Sequence, residues 1–211
     1  MTDREQTELV VRTIAETAID NETYFGELDS VVGDGDFGYS LARGFEKLLE
    51  GWDGLDRTDA GTFLKRSGMV IASRIGGTSG PLWGTAFLRA GGAADAGVVA
   101  MLRAAIEGIK ARGQSDVGDK TLLDALVPFT DRLERELAGG ASGADALRAA
   151  TATAREAADA TAHMVAKRGR ASYTGERSRG SVDAGATAVA VIAERISETW
   201  QKPSSDQGAA S

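Results

Sequence analysis

Apolar residues recur every three or four positions along most of this chain, the spacing that aligns side chains on one face of an α-helix. One such stripe comprises Leu122, Leu126, Phe129, Leu133 and Leu137. Two others comprise Met101, Leu102, Ala105, Ile106 and Ile109, and Val189, Ile192, Ile196 and Trp200. No stretch sustains the alternation of a half-buried strand, so the pattern predicts an all-α fold.

Polar caps and glycines divide this pattern into eight predicted helices. Asp59 and Ser142 stand near expected N-caps. Glycines suited to chain reversal after helices are Gly51, Gly113, Gly139 and Gly140. The helices are predicted at residues 3–26, 39–51, 58–75, 79–93, 96–112, 121–138, 143–167 and 183–200. Because the connections are short, we expect antiparallel neighbours in a bundle or a closed ring.

Composition limits the function classes. The 211 residues are 42% hydrophobic, which predicts one domain over residues 1–201, with a polar tail at 202–211 that we interpret as disordered. A net charge of -7 argues against a nucleic-acid partner, and the lack of cysteine excludes disulfides and thiolate sites. The acidic N-terminus is unlike a signal peptide, and no apolar run approaches the ~20 residues of a membrane span. We therefore expect a cytoplasmic protein without a membrane partner.

The segment LDSVVGDGDFGYS, residues 28–40, gathers Asp29, Asp34 and Asp36 among glycines. Glycine lets the backbone fold so that the three carboxylates converge, and a hard divalent cation would remove their repulsion. An EF-hand loop is excluded because, counted from Asp34, Gly38 and Phe45 fall where ligands are required. The segment predicts a metal site, with ordinary turn and N-cap aspartates as the alternative.

Two further segments precede predicted helices. In GGTSGPLWGTAF, residues 76–87, Thr78 and Ser79 offer hydroxyls and backbone N–H groups to a phosphate, although the segment is not a Walker A loop. An interhelical turn with a serine cap is the alternative. In GDKTLLDALVP, residues 118–128, the run from Asp119 to Thr121 suits helix capping better than a nucleotide contact.

The second long gap between predicted helices, residues 168–185, carries four arginines that could close over a polyphosphate: Arg168, Arg170, Arg177 and Arg179. A solvated basic loop is the alternative. The single histidine, His163, has no partner placed for a catalytic triad, so we expect no catalytic role for it. A cation site, a phosphate cradle and an arginine loop are together the parts of a phosphoryl-transfer site.

Four segments in this order, LDSVVGDGDFG, GGTSGPLWGTAF, GDKTLLDAL and GRASYTGERSRGSVDAGA, resemble the L subunit family of dihydroxyacetone kinases. The resemblance covers residues 5–200 and implies eight antiparallel helices forming a closed bundle, with the nucleotide at one end. It implies that Asp29, Asp34 and Asp36 hold two Mg²⁺ ions that bridge the phosphates of ADP or ATP.

The resemblance also implies which residues surround the nucleotide. Residues beside the aspartates are Phe37, Gly38, Tyr39 and Ser40, and those at the phosphates are Thr78 and Ser79. Gly118 and Leu122 would flank the base, and the covering residues would be Arg170, Asp183, Ala184 and Gly185. Many family members have histidine in place of Phe37 and of Ser181, and proline in place of Ala184, so this chain departs from the pattern at three positions.

The resemblance implies a divided enzyme. A separate K subunit binds the sugar through a histidine, and the L subunit presents the phosphoryl group to dihydroxyacetone or a similar hydroxyketone. One branch of the family uses ATP, whereas the other retains ADP that a phosphotransferase-system M subunit recharges. The donor, the sugar and a homodimeric state stay open. The alternatives are a nucleotide-state sensor that binds a transcription regulator without catalysis, and a helical magnesium-binding scaffold.

Overall fold

The helical content predicted from the sequence is confirmed in the computed structural model, which describes residues 2–201. The predicted tail at 202–211 lies outside the described residues. The α-helices are α1 (Asp3–Asp20), α2 (Glu22–Ser30), α3 (Phe37–Glu50), α4 (Ala60–Arg74), α5 (Ser79–Gly92), α6 (Val98–Gly113), α7 (Leu123–Ala138), α8 (Gly143–Ala160) and α9 (Ala184–Gln201). Short 3₁₀ segments are Trp52–Gly54, Ala94–Ala96, Thr161–His163 and Arg170–Ser178.

The helix contacts follow a cycle. The helices from α3 to α9 each pack against the next one along the chain, α1 packs against α3, and α9 returns to pack against α1. The helix α2 lies against α3 and α9. This order of contacts agrees with the predicted closed bundle.

Two apolar clusters fill most of the interior. The first joins α1 to α5 around aromatic side chains, including Phe25, Phe45 and Phe63, each of which is fully buried. The second joins α7, α8 and α9, where α8 contributes small side chains at intervals of four residues: Ala146, Ala150, Ala154 and Ala158. Alanine at these positions lets α8 approach its neighbours closely, so the alanine-rich stretch is a packing surface.

The first predicted helix, residues 3–26, is wrong as a single element. The side-chain amide of Asn21 donates to the Thr17 carbonyl at 2.8 Å, the same carbonyl that accepts from the Asn21 backbone N–H at 3.1 Å. Asn21 has non-helical dihedral angles, φ -105° and ψ 17°, and α2 begins at the next residue. The described residues therefore form nine α-helices where eight were predicted.

The predicted helix at 143–167 is also wrong at its end, because α8 stops at Ala160. The buried Thr161 hydroxyl donates to the Ala158 carbonyl at 2.5 Å and accepts from the Asp183 N–H at 2.8 Å. This contact ties the end of α8 to the residue that precedes α9. The chain passes through a 3₁₀ turn and becomes extended at Met164.

Candidate functional site

The three aspartates converge where α2 leads into α3. Asp29 lies in the last turn of α2, and Asp34 and Asp36 lie in the connection that follows. One carboxylate oxygen from each residue lies within 4.8 Å of the other two. The connection is shorter than the gap between the helices predicted at 3–26 and 39–51, because α2 continues to Ser30 and α3 begins at Phe37. The backbone of Asp29 is therefore part of a helix, whereas Asp34 and Asp36 lie in the connection.

Glycines allow the tight path of this connection. The Gly33 N–H donates to the Asp29 carbonyl at 2.6 Å, and a Cβ on Gly33 would stand only 2.3 Å from Asp29 Oδ1. Gly35 has φ +76°, a conformation that favours glycine. The Phe37 N–H points to Asp29 Oδ2 at 3.4 Å. These features turn the connection back over Asp29, so the carboxylates share one small volume.

The electrostatics of the cluster favour a bound cation. Burial raises the pKa of the Asp36 carboxyl, and the Asp34 carboxylate raises it further, while the Arg170 guanidinium opposes both. Arg170 contacts Asp34 and lies 3.9 Å from Asp36, which brings a positive charge from a distant part of the chain onto the cluster. The donor set consists of carboxylate oxygens, which suits Mg²⁺ better than a softer metal. These residues fit the implied magnesium site.

The predicted nucleotide-lining residues beside the aspartates form the first turn of α3. Phe37 packs its ring against Phe25 with the centroids 6.2 Å apart, and it is partly buried. Tyr39 is 60% exposed, and its ring lies 5.3 Å from the guanidinium carbon of Arg43. A Cβ on Gly76 would lie 3.4 Å from Ser40 Oγ. Ser40 therefore borders the glycine turn that leads to Thr78 and Ser79.

Thr78 and Ser79 begin α5, as predicted within one residue. Thr78 occupies the N-cap position, is exposed, and makes no side-chain capping hydrogen bond. Residues 75–78 form an interhelical turn, as in the alternative, but Ser79 is the first helical residue and does not cap it. An uncapped N-terminus presents N–H groups that can bind an anion.

A second cluster brings together four other predicted site residues. Gly118 donates its N–H to Asp124 Oδ1, and Leu122 packs beside Gly185, where an added Cβ would lie 3.4 Å from the Leu122 N. Asp183 accepts from the Ala186 N–H at 2.7 Å and so caps α9. The loop before α7 and the start of α9 thus lie side by side.

The carboxyl of Asp183 lies inside this second cluster, although the residue as a whole keeps some exposed surface. Burial raises its pKa from 3.8 to about 7. The nearby Asp124 carboxylate raises it as well, whereas the Ala186 N–H and the Lys120 ammonium lower it. At neutral pH the group therefore exchanges between a neutral and an ionised form.

We expect this raised pKa to make the free energy of unfolding depend on pH. Between pH 4 and 7 the folded protein holds a proton on Asp183 that the unfolded chain has released. The Asp183 contribution is therefore complete below about pH 4, falls as the pH rises and levels off above about pH 7, with a loss of about 3 kcal/mol between pH 5 and pH 8. Urea titrations at pH 5 and pH 8 should show this loss in the wild type and a smaller one in Asp183→Asn. An equal difference in both proteins would contradict it.

The arginine-bearing segment is more ordered than the predicted loop at 168–185. It forms a 3₁₀ segment from Arg170 to Ser178, kinked at Gly175, where φ is 56°. Arg168 Nε lies 3.2 Å from Asp119 Oδ2, and Lys167 Nζ lies 3.6 Å from Asp119 Oδ1. These contacts, and that of Arg170 with Asp34, hold the segment against the rest of the protein, although its arginine side chains are exposed to solvent.

Sequence reasoning missed Asp124 in the second cluster, and it assigned Asp119 and Lys120 to helix capping only. Asp124 is buried and accepts from the Gly118 and Thr121 N–H groups. The spacing T-x-x-D at 121–124 is a capping-box pattern that could have identified it. The Thr121 hydroxyl accepts from the Leu123 N–H at 3.2 Å, whereas Leu122, the N-cap of α7, makes no side-chain capping hydrogen bond. His163 is exposed in a 3₁₀ turn, outside the helix predicted for it.

Known proteins are similar in sequence to most of this chain. The DAK2 domain matches residues 31–198. The chain is 39% identical over 180 residues to the PEP-dependent dihydroxyacetone kinase, ADP-binding subunit DhaL, of Escherichia coli (strain K12), covering 82% of this chain and 86% of that subunit. It is also 39% identical over 194 residues to D-erythrulose kinase of Mycolicibacterium smegmatis, covering 88% of this chain but 33% of the kinase.

Solved structures share the fold. The dihydroxyacetone kinase of C. freundii in its native form superposes with a TM-score of 0.75 at 27% identity, covering 92% of this chain and 34% of the kinase. The same kinase in complex with AMP-PNP and Mg²⁺ gives a TM-score of 0.74 at 27% identity, covering 90% and 33%. The chain thus spans about a third of these longer kinases. Within the described residues, every helix is too short or too polar to cross a membrane.

Proposed function

Because this chain belongs to the DAK2 domain family, we propose that it is the nucleotide-binding subunit of a dihydroxyacetone-type kinase. It holds ADP or ATP through Mg²⁺ and supplies a phosphoryl group to dihydroxyacetone or a similar small hydroxyketone on a separate K subunit. The observation that carries the proposal is the cluster of Asp29, Asp34 and Asp36, met by an arginine from the far end of the sequence.

Each part of the site has a role in this proposal. The three aspartates hold two Mg²⁺ ions, which neutralise the phosphate charge when bound. The uncapped start of α5, with Thr78 and Ser79, binds phosphate oxygens through its N–H groups and hydroxyls. Arg170, which is 64% exposed in its side chain, is free to contact phosphate and to give up its pairing with Asp34.

The remaining predicted residues enclose the rest of the nucleotide. Gly118 and Leu122 flank the base, and the turn from Asp183 to Gly185 covers it, since these residues form adjoining walls. Residues 37–40, in the first turn of α3, line the nucleotide beside the metal. Phe37 gives this wall an apolar surface packed on Phe25.

The proposal requires a partner that binds the sugar. The ADP-binding subunit from E. coli has nearly the same length as this chain, whereas the erythrulose kinases are about three times longer. The missing part of the reaction therefore belongs to another chain or domain, for which we propose a K subunit. A phosphotransferase-system M subunit is the proposed donor partner if ADP is retained, and ATP serves directly if the nucleotide exchanges.

We expect phosphoryl transfer to dihydroxyacetone when this chain is combined with a K subunit, Mg²⁺ and either ATP or a recharging M subunit. Omitting this chain should abolish the product. The measurement is a coupled assay of dihydroxyacetone phosphate formation, with erythrulose as a second acceptor. Magnesium-dependent nucleotide binding without transfer to either sugar would contradict the kinase proposal and favour the nucleotide-state sensor.

A further inference from the structure

Lys120 is a buried lysine that takes no part in the proposed metal or nucleotide contacts. Only 2% of its surface is exposed. Its φ of 61° lies in the left-handed region, which is uncommon for a residue other than glycine. Burial lowers the pKa of its ammonium group. A buried cation with a strained backbone persists only where the surrounding contacts hold it in place.

Those contacts are three backbone carbonyls. The Lys120 ammonium donates to Met164 O at 3.3 Å, to Ser181 O at 2.7 Å and to Ser178 O. An ammonium has three donors, so its hydrogen-bonding capacity is met. Met164 lies at one end of segment 164–181, and Ser178 and Ser181 lie at the other. A single side chain therefore joins the two ends of this segment.

The same two ends are joined by backbone and hydroxyl contacts. The Ala166 N–H donates to Ser178 Oγ at 2.9 Å, and the Gly180 N–H donates to the Ala162 carbonyl at 2.8 Å. Segment 164–181 is thus a closed loop with Lys120 at its base. Arg170 lies within this loop, where it contacts Asp34.

We propose that Lys120 is a positioning residue that fixes Arg170 over the metal and phosphate site by holding both ends of segment 164–181. Its backbone belongs to the loop from Gly118 to Leu122, which is predicted to flank the base. Lys120 therefore connects the base-binding loop with the arginine predicted to contact phosphate. This inference rests on the nucleotide-binding function proposed above.

The test compares Lys120→Met with Lys47→Met. Methionine has a similar length but cannot donate, so three carbonyls lose their shared partner and the loop is released. Lys47 lies on α3, half exposed, and its ammonium pairs with Glu50 at 2.5 Å, so Lys47→Met removes a lysine from a surface ion pair. Trypsin should cut within residues 168–179 of nucleotide-free Lys120→Met at least about 10-fold faster than in the wild type or in Lys47→Met.

A second measurement separates positioning from general stability. Calorimetry would give the affinity for Mg-ADP of the wild type, Lys120→Met, Arg170→Gln and the double variant. We expect Lys120→Met to weaken binding by about 10-fold or more. Arg170→Gln should weaken binding strongly in the wild type but little further in Lys120→Met, because Arg170 is already displaced. A purely structural lysine would lower the melting temperature and leave the two effects additive.

The inference would be overturned if trypsin cut Lys120→Met within residues 168–179 no faster than the wild type. Fully additive losses of affinity for Mg-ADP would also overturn it. If Lys120→Met does not fold, Lys120→Gln, which keeps an amide donor, is judged by the same two measurements and criteria. A wild type that does not bind Mg-ADP would contradict the proposed function. The tryptic comparison needs no nucleotide, so it would still decide whether Lys120 holds the loop.

Discussion

Replacing Asp34 by asparagine is expected to abolish magnesium-dependent nucleotide binding without loss of helical content. The change removes one of three convergent carboxylates and its charge, so the affinity for Mg-ADP should fall more than ~100-fold. Asp34 lies in the connection between α2 and α3, and it pairs with Arg170, which lies outside the α-helices. Asp36→Asn should behave in the same way. Calorimetric titration with Mg-ADP measures the loss, and circular dichroism measures the helical content.

Asp95→Asn is the matched control for this result. Asp95 is exposed in a 3₁₀ segment before α6, so its replacement removes the same charge away from the aspartate cluster. We expect wild-type affinity for Mg-ADP in this variant. Unchanged affinity in Asp34→Asn would contradict the metal site, and an equal loss in Asp95→Asn would show that net charge alone sets the affinity.

Replacing Gly38 by alanine is expected to reduce both stability and nucleotide binding. A Cβ at this position would lie 2.0 Å from the Glu22 carbonyl oxygen and 2.6 Å from the Gly26 nitrogen. Both atoms belong to the backbone of α2, so the helix itself must move. The expected loss in the free energy of unfolding is about 1–3 kcal/mol. Because α2 also holds Asp29, affinity for Mg-ADP should fall in the same variant.

Gly51→Ala offers the corresponding control, since Gly51 ends the same helix α3 and an added Cβ would come no closer than 3.6 Å to the Lys47 carbonyl. Urea unfolding should show a near-wild-type midpoint for Gly51→Ala and a clearly lower midpoint for Gly38→Ala. If the two glycine variants unfold alike, the close approach of α2 and α3 is not what requires glycine at position 38.

Helices with a clear cap or apolar stripe could be predicted from the sequence. Asp59 and Ser142 accept hydrogen bonds from Thr62 N–H at 2.7 Å and Asp145 N–H at 3.1 Å, so the starts of α4 and α8 were set by local chemistry. The stripe on α7 is confirmed by the burial of Phe129 and Leu133. Local signals sufficed here because each cap, and each apolar stripe, depends on residues only a few positions apart in the sequence.

Boundaries decided by tertiary contacts could not be predicted in the same way. The first predicted helix ends at Gly26, yet α2 continues to Ser30. Gly26 is a position of close approach, since an added Cβ would lie 3.3 Å from the Gly35 carbonyl. The alanine run predicts a longer α8, whereas the Thr161 hydroxyl ends it through a bond to Asp183, 22 positions away. Such partners become neighbours only when the helices pack.

In the candidate site, too, contacts between residues close in sequence could be predicted, and contacts between distant residues could not. The three aspartates are close in sequence, so their convergence was predictable from the spacing and the glycines. The contact between Arg170 and Asp34 joins residues more than a hundred positions apart and was not predicted, because the family resemblance placed Arg170 only over the nucleotide. The contacts of Lys120 with segment 164–181 could not be predicted, because its partners are backbone carbonyls, which any residue supplies.

Native mass spectrometry of the wild-type protein with Mg²⁺ and ADP tests most directly whether this chain holds a metal-bound nucleotide. The account predicts a complex whose added mass equals one ADP with bound magnesium, and loss of that complex after chelation with EDTA. Retention of ADP through desalting would point to the phosphotransferase-linked branch. A protein that stays free of nucleotide at saturating Mg-ADP, or that keeps ADP equally well without magnesium, would contradict the account.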